Sequence, residues 1–182
     1  MQHKSFSKMV CPIARSLERV GEWWSILIIR DALHGFTRFD EFQKSLNIAP
    51  NMLTRRLNAL VDAGLLERRR YSERPPRYEY ILTDIGRDFR PVLIAMTAWG
   101  NRHFAPEGAS VLLVDKKTRR AADPVLVDRR SGRPLNERDF AFAAGPAASE
   151  RTRRRYAMIE QNKPSTARPS SKIMRTRKSR VS

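Results

Sequence analysis

The chain has 182 residues and carries 36 Lys or Arg against 19 Asp or Glu, a formal net charge of +17; this is room for one domain with an appendage, and a balance that calls for a polyanionic partner or a basic tail. No apolar run approaches the roughly 18 residues of a membrane span, and the start, MQHKSFSKMVC, has no apolar signal region, so a cytoplasmic protein with no membrane partner is expected. The single cysteine, Cys11, excludes an intrachain disulfide and a cysteine-rich zinc site, and neither a metal nor a cofactor is expected.

Residues 1–10 read as a flexible arm. Apolar residues then recur at helical spacing, broken at Gly21, which predicts helices over Ile13–Val20 and Trp23–Leu33. The second is apolar nearly all round (Trp24, Ile26, Leu27, Ile28, Ile29), as befits a helix at the centre of a small domain, and His34-Gly35 ends it. A short helix over Phe39–Leu46 follows, then the turn Asn47-Ile48-Ala49, then a helix from Pro50 to Ala63 that stops at Gly64. Pro50 suits a first helical position because its missing N–H would be unpaired there in any case.

After Gly64 the period changes. LLERRRY and RYEYILT, separated by SERPP, predict a β-hairpin with a proline-stiffened tip. Two short helices, a tight turn and a hairpin make a winged helix-turn-helix, so the fold class is mainly α with a small β-hairpin wing. A long amphipathic helix, Asp84–Phe104, is expected next, mildly distorted by Pro91, with Phe89, Val92, Leu93, Met96 and Trp99 on one face.

Residues 11–104 are thus expected to form the winged helix-turn-helix domain. Residues 110–146, with VLLVD, PVLVD and FAFAA around the turn RRSGRP, read as a small β-hairpin-like appendage. Residues 151–182 hold 11 Lys or Arg against Glu160 alone, a net of +10 (11 − 1) that leaves +7 (17 − 10) for residues 1–150. Such a stretch has too little apolar surface to offset its ordering entropy and is read as a disordered basic tail. No internal repeat is apparent.

On a helical wheel, Leu53, Leu57 and Leu60 form one stripe of the Pro50–Ala63 helix, and Asn51, Arg55, Asn58 and Asp62 the opposite face. That outer face has the chemistry base edges require: Arg matches the two acceptors of guanine, Asn the donor and acceptor of adenine. Thr54, at its edge, is placed for a thymine methyl or a phosphate. Asn51, Thr54, Arg55 and Asn58 are therefore the candidate base readers of double-stranded DNA. Arg38, Arg56 and, at the wing tip, Arg74 and Arg77 are the candidate backbone contacts. In the strands, alternation sends Arg68 and Arg70 to one face and Arg69 to the other, and a solvated edge that resists strand pairing is the competing reading for them.

The order of motifs CPIARSLERVG, GEWWSILIIRDAL, TRFDEFQKSL, NMLTRRLNALVDAGLLERR and PPRYEYILTDIG, from Cys11 to about Gly100, resembles the HxlR-type winged-helix transcriptional regulators, relatives of the MarR-type regulators. The resemblance implies a homodimer in which the first helix and the long helix pack on the partner, with Ile13, Leu17, Phe89, Leu93, Met96 and Trp99 at the interface. It implies two recognition helices reading a pseudo-palindromic operator, with repression the commoner outcome. For the apolar stripe, a monomer core is the equal alternative. The resemblance also implies a small-molecule or electrophile effector, sensed in several such regulators through an N-terminal cysteine, a role Cys11 would fill if exposed; a buried small side chain is the competing reading.

The chain departs from the family pattern at Trp23, where many members have Lys, and at Ala49, which cannot cap a helix through its side chain. Where the C-terminal extension of some members has paired zinc-binding cysteines, this chain has Asp128 and Ser131, so no zinc is expected. An enzyme is not expected either: His3, His34 and His103 have no metal spacing, and no phosphate loop or nucleophile elbow is present. The alternative function is nonspecific nucleic-acid binding driven by the basic tail.

Overall fold

A computed structural model describes residues 11–162; the expected N-terminal arm and most of the expected tail lie outside them. The helices are α1 (Pro12–Val20), α2 (Trp23–Leu33), α3 (Phe39–Leu46) and α4 (Pro50–Asp62), followed by the antiparallel strands β1 (Leu66–Glu73) and β2 (Pro76–Leu82). Then come α5 (Asp84–Arg87), α6 (Arg90–His103) and α7 (Glu150–Gln161). The chain divides after Phe140 into two compact units.

In the first unit, one apolar cluster explains the helix order. Ile28 and Ile29 of α2, Phe42 of α3, Leu53, Leu57 and Leu60 of α4, and Leu66 of β1 are all buried to 1% exposure or less. Burial of each such side chain stabilises the fold by about 1.5–3 kcal/mol before entropy is counted, so α2 is the hub on which the turn and the wing rest.

Backbone geometry at the turns follows from the residues present. Asn47, left-handed at φ 47°, ends α3 and lets the chain swing into α4; Asn tolerates that region better than most residues. Gly64, at φ 72°, performs the same service at the end of α4, where the Leu65 N–H bonds the Leu60 carbonyl at 2.9 Å. At the base of the wing, Thr83 Oγ1 donates to the Gly64 carbonyl at 2.7 Å and accepts from Gly86 N. A side chain at Gly86 would run into the Leu65 carbonyl and Leu82, so only glycine lets α5 close this tightly on the wing.

In the hairpin, Leu66 pairs with Leu82, Arg68 with Tyr80, Arg70 with Tyr78 and Glu73 with Pro76, with an irregularity at Tyr71. A third strip of backbone joins it: Tyr80 N donates to the Thr37 carbonyl at 2.7 Å, and Arg38 bridges Glu79. The entrance to α3 is thereby tied to the wing.

Three expectations are corrected. The long helix over Asp84–Phe104 is two helices broken at Asp88-Phe89, because Pro91 offers no N–H to an interior turn and instead occupies the first turn of α6. The tail read as disordered from residue 151 begins with a helix: Ser149 Oγ accepts from Thr152 N, Arg154 pairs with Glu150 at 3.0 Å, and Arg, Ala, Met and Glu favour a helix even without a buried face. Residues 163–182 lie outside the described chain. Finally, the appendage contains a repeat. Val114 bridges Ala121 and Val127 bridges Pro134, each across one tight turn, and the two are offset by 13 residues (127 − 114).

Candidate nucleic-acid interface

The apolar stripe of α4 is inserted in the core, so the opposite face must look outward. Asn51, Thr54, Arg55 and Asn58 are all exposed, and Asp62 extends the same face toward the wing-proximal end. Asn51 and Asn58 have no side-chain partner among the described residues, which leaves their amide donors and acceptors available. Arg55 is held only by a 3.5 Å contact of Nη2 with Met52 Sδ. Thr54 Oγ1 donates to the Pro50 carbonyl at 2.9 Å, so its hydrogen is already used. A phosphate oxygen would need that hydrogen, whereas a thymine methyl meets the threonine methyl without disturbing it.

Arg56, one residue on, is reassigned. Its guanidinium turns inward to Glu22 at 2.7 Å, the side chain is only 13% exposed, and its Nε is buried without a partner. It therefore fastens α4 to the entrance of α2 rather than facing a phosphate. Sequence spacing carried no sign of this pair, whose members are 34 positions apart.

Wing arginines divide in a similar way. Arg69 pairs with Glu79 at 2.8 Å, and Arg70 wraps the turn by bonding the Ser72 and Glu73 carbonyls and the Glu73 carboxylate. Arg68 stacks over Tyr78, 4.3 Å from the ring centre. Burial holds the Tyr80 hydroxyl above its ordinary pKa, with the Arg68 charge opposing. Arg74 and Arg77, at the tip, are exposed, and their side chains have no partner among the described residues. Arg38 is exposed beside the wing, its guanidinium 5.0 Å from the Tyr71 ring centre.

Position 38 is fixed by Glu41, whose carboxylate accepts from both Thr37 N and Arg38 N at 2.9 Å. The bond from Arg38 N, then that from Thr37 N, holds the Glu41 pKa below its ordinary value. A carboxylate in the first turn also matches the positive end of the helix dipole.

The expected interface residues separate into two groups. Phe89 and Leu93 are partly buried against the domain's own core. Ile13 (68% exposed), Leu17, Met96 and Trp99 (58%) are open, and no residue of α6 is fully buried. Trp99 stacks edge-on with Phe104 at 4.8 Å. Cys11, the N-cap residue of α1, is exposed. Among the described residues no three His, Cys, Asp or Glu side chains group to hold a metal, and no helix is long and apolar enough to cross a membrane.

Comparison with known proteins agrees with this architecture. The family described as HxlR-like helix-turn-helix matches residues 19–108. The chain is 36% identical over 135 residues to the uncharacterised HTH-type transcriptional regulator Rv3095 of Mycobacterium tuberculosis, covering 74% of this chain and 85% of the relative. It is 61% identical to PA1374 of Pseudomonas aeruginosa, described as a transcription factor, with a TM-score of 0.60 over 80% of this chain and 99% of that one. The structure of PA1607, also described as a transcription factor, is 38% identical, with a TM-score of 0.70 over 78% of this chain and all of that one. From its winged helix-turn-helix and these relatives alike, the chain belongs to the HxlR-like helix-turn-helix family of transcriptional regulators, a family whose fold implies DNA binding.

Proposed function

We propose that the protein is a sequence-specific regulator, acting as a repressor, that binds a pseudo-palindromic operator as a homodimer. The observation that carries this reading is the two-sided chemistry of α4. Its leucines are buried to zero exposure, and Asn51, Thr54, Arg55 and Asn58 stand together on the solvent side. In that arrangement α4 enters the major groove with Arg55 on guanine, Asn51 and Asn58 on base edges and Thr54 against a methyl. Arg74 and Arg77 at the wing tip and Arg38 beside it hold the phosphate backbone.

Homodimerisation is supported by the open apolar faces of α1 and α6, since Ile13, Leu17, Val92, Met96 and Trp99 are more exposed than side chains of their kind are in a finished core. An exposed Cys11 at the start of α1 leaves the thiol accessible to an electrophilic effector; operator affinity that ignores alkylation of Cys11 would end that part of the reading.

The test is selection of bound sequences from random duplex DNA, followed by binding of the chosen site and a scrambled duplex to a chain ending at Asn162. A defined palindromic site, bound in preference to the scrambled duplex, is expected. Equal affinity for both would defeat the sequence-specific reading, and duplex binding that vanishes with the truncation would replace it with nonspecific binding by the basic tail.

A further inference from the structure

The two turns of the appendage are built to one plan. In the first, Asp115 Oδ1 accepts from Lys117 N at 2.9 Å, from Thr118 N at 2.7 Å and from the Thr118 hydroxyl at 3.0 Å. In the second, Asp128 accepts from Arg130 N, Ser131 N and the Ser131 hydroxyl, at 3.4, 2.9 and 2.6 Å. Backbone bonds match as well: Arg119 N to the Asp115 carbonyl and Gly132 N to the Asp128 carbonyl, then Asp115 N to Arg120 and Asp128 N to Arg133. The fifth position is left-handed in both, at φ 59° for Arg119 and 67° for Gly132.

This plan accounts for Asp, for Ser or Thr three residues on, and for Gly at the left-handed position. It gives no reason for the remaining residues, yet these are cations in both copies: Lys116 and Arg129, Lys117 and Arg130, Arg120 and Arg133. In the first copy even the left-handed position, where Gly is free of strain, is an arginine. Arg133 pairs with Asp139. The other six, Lys116, Lys117, Arg119, Arg120, Arg129 and Arg130, are exposed and have no acidic partner among the described residues.

Both aspartates are committed to their own turns. Hydrogen bonds from the following backbone and hydroxyl groups hold the carboxyls of Asp115 and Asp128 below their ordinary pKa, so they stay as acceptors within the turn. The appendage therefore offers two rigid loops whose acceptors face inward and whose unpaired cations face solvent.

We propose that these paired basic turns are a second DNA contact, gripping the phosphate backbone of duplex DNA outside the base pairs read by α4. The proposal rests on the DNA-binding reading of α4 and extends it. Pre-ordered turns suit this task because the cations are delivered without the entropy cost of ordering a loop at the moment of binding.

The experiment uses the full chain with Lys116, Lys117, Arg129 and Arg130 all changed to Gln, leaving the turn-forming residues in place. Two half-variants, K116Q/K117Q and R129Q/R130Q, serve if the fourfold variant folds poorly. Three quantities are read on the selected operator: affinity against salt, the preference over scrambled duplex, and the phosphates at which ethylation blocks binding. The expected result is a salt slope shallower by about 0.9 for every phosphate no longer neutralised, an unchanged preference, and disappearance of interference at phosphates flanking the α4 site. Each half-variant loses one part of that flanking pattern. An unchanged slope and interference pattern, in protein that still selects its operator, overturns the basic-turn proposal alone. Tighter binding of the turns to RNA than to duplex overturns it too. Wild-type protein with no operator preference at all sinks the α4 reading, a result distinct from either.

Discussion

Helices α4 and α6 are nearly the same length, 13 and 14 residues, both carry Pro in the first turn, and neither has a side-chain cap. Both show apolar residues at helical spacing. Yet α4 buries Leu53, Leu57 and Leu60 completely, whereas α6 buries no residue fully and leaves Val92, Met96 and Trp99 about half exposed. Periodicity announces a helix and its apolar face. What covers that face is decided elsewhere in the chain, or by another chain.

The sharpest way to break the comparison is to remove one side chain from each stripe. Leu57→Ala leaves a cavity in the centre of the cluster and is expected to cost about 2–5 kcal/mol, read as a lowered midpoint in urea. Met96→Asp with Trp99→Asp is expected to leave the monomer's helicity intact while weakening self-association by about 2 kcal/mol or more, as loss of an apolar anchor at an interface does. Sedimentation over a range of concentrations reads this directly. If the double variant instead unfolds the monomer while association of the remainder is untouched, α6 belongs to the core in the same sense as α4.

The first four helices, the turn, the hairpin and the buried leucine stripe were legible from sequence, because each is set by neighbours within a few residues: Gly64 stops α4, the prolines of SERPP mark the wing tip, and Leu53, Leu57 and Leu60 share a face. The misreadings have physical causes. Phe89, at the N-cap of α6, and Leu93, in its first turn, are partly buried against the domain's own core, whereas Met96 and Trp99, further along the same helix, stand open. Helix α7 forms without a buried face, through its cap and helix-favouring residues, so apolar content was the wrong measure. The repeat in the appendage is one of hydrogen-bond roles, with Asp-x-x-Thr in one copy and Asp-x-x-Ser in the other, which few identical letters reveal.

Arg55 and Arg56 sharpen the contrast between the two faces of α4 at adjacent positions. Glu22→Ala strands the Arg56 guanidinium, whose Nε already lacks a partner, and about 1–3 kcal/mol of stability is expected to be lost. Arg55→Ala removes an exposed side chain, so stability is expected to change by no more than about 0.5 kcal/mol. Its effect belongs to binding: about 1–3 kcal/mol of discrimination between operator and scrambled duplex. Denaturation and operator binding on both variants give a crossed pattern if the faces are assigned correctly. Equal losses of discrimination in Glu22→Ala and Arg55→Ala would show that Arg56 also reaches the DNA.

The smallest expected effect concerns Glu41, which holds the entrance to α3 as no side chain holds the entrance to α4. Its pKa is lower in the folded protein than its ordinary 4.5, because the charged carboxylate accepts two backbone N–H bonds. The stabilisation is therefore fully present above about pH 4.5 and is lost as the pH falls through the folded value. Solvent at this partly exposed site weakens it further. Glu41→Gln keeps an acceptor oxygen but not the charge, so the wild type is expected to exceed the variant slightly in urea midpoint at pH 6. That gap should close as both are taken to pH 3. A gap of constant size across the titration would mean that the carboxylate's charge contributes nothing and that shape alone seats Arg38 beside the wing.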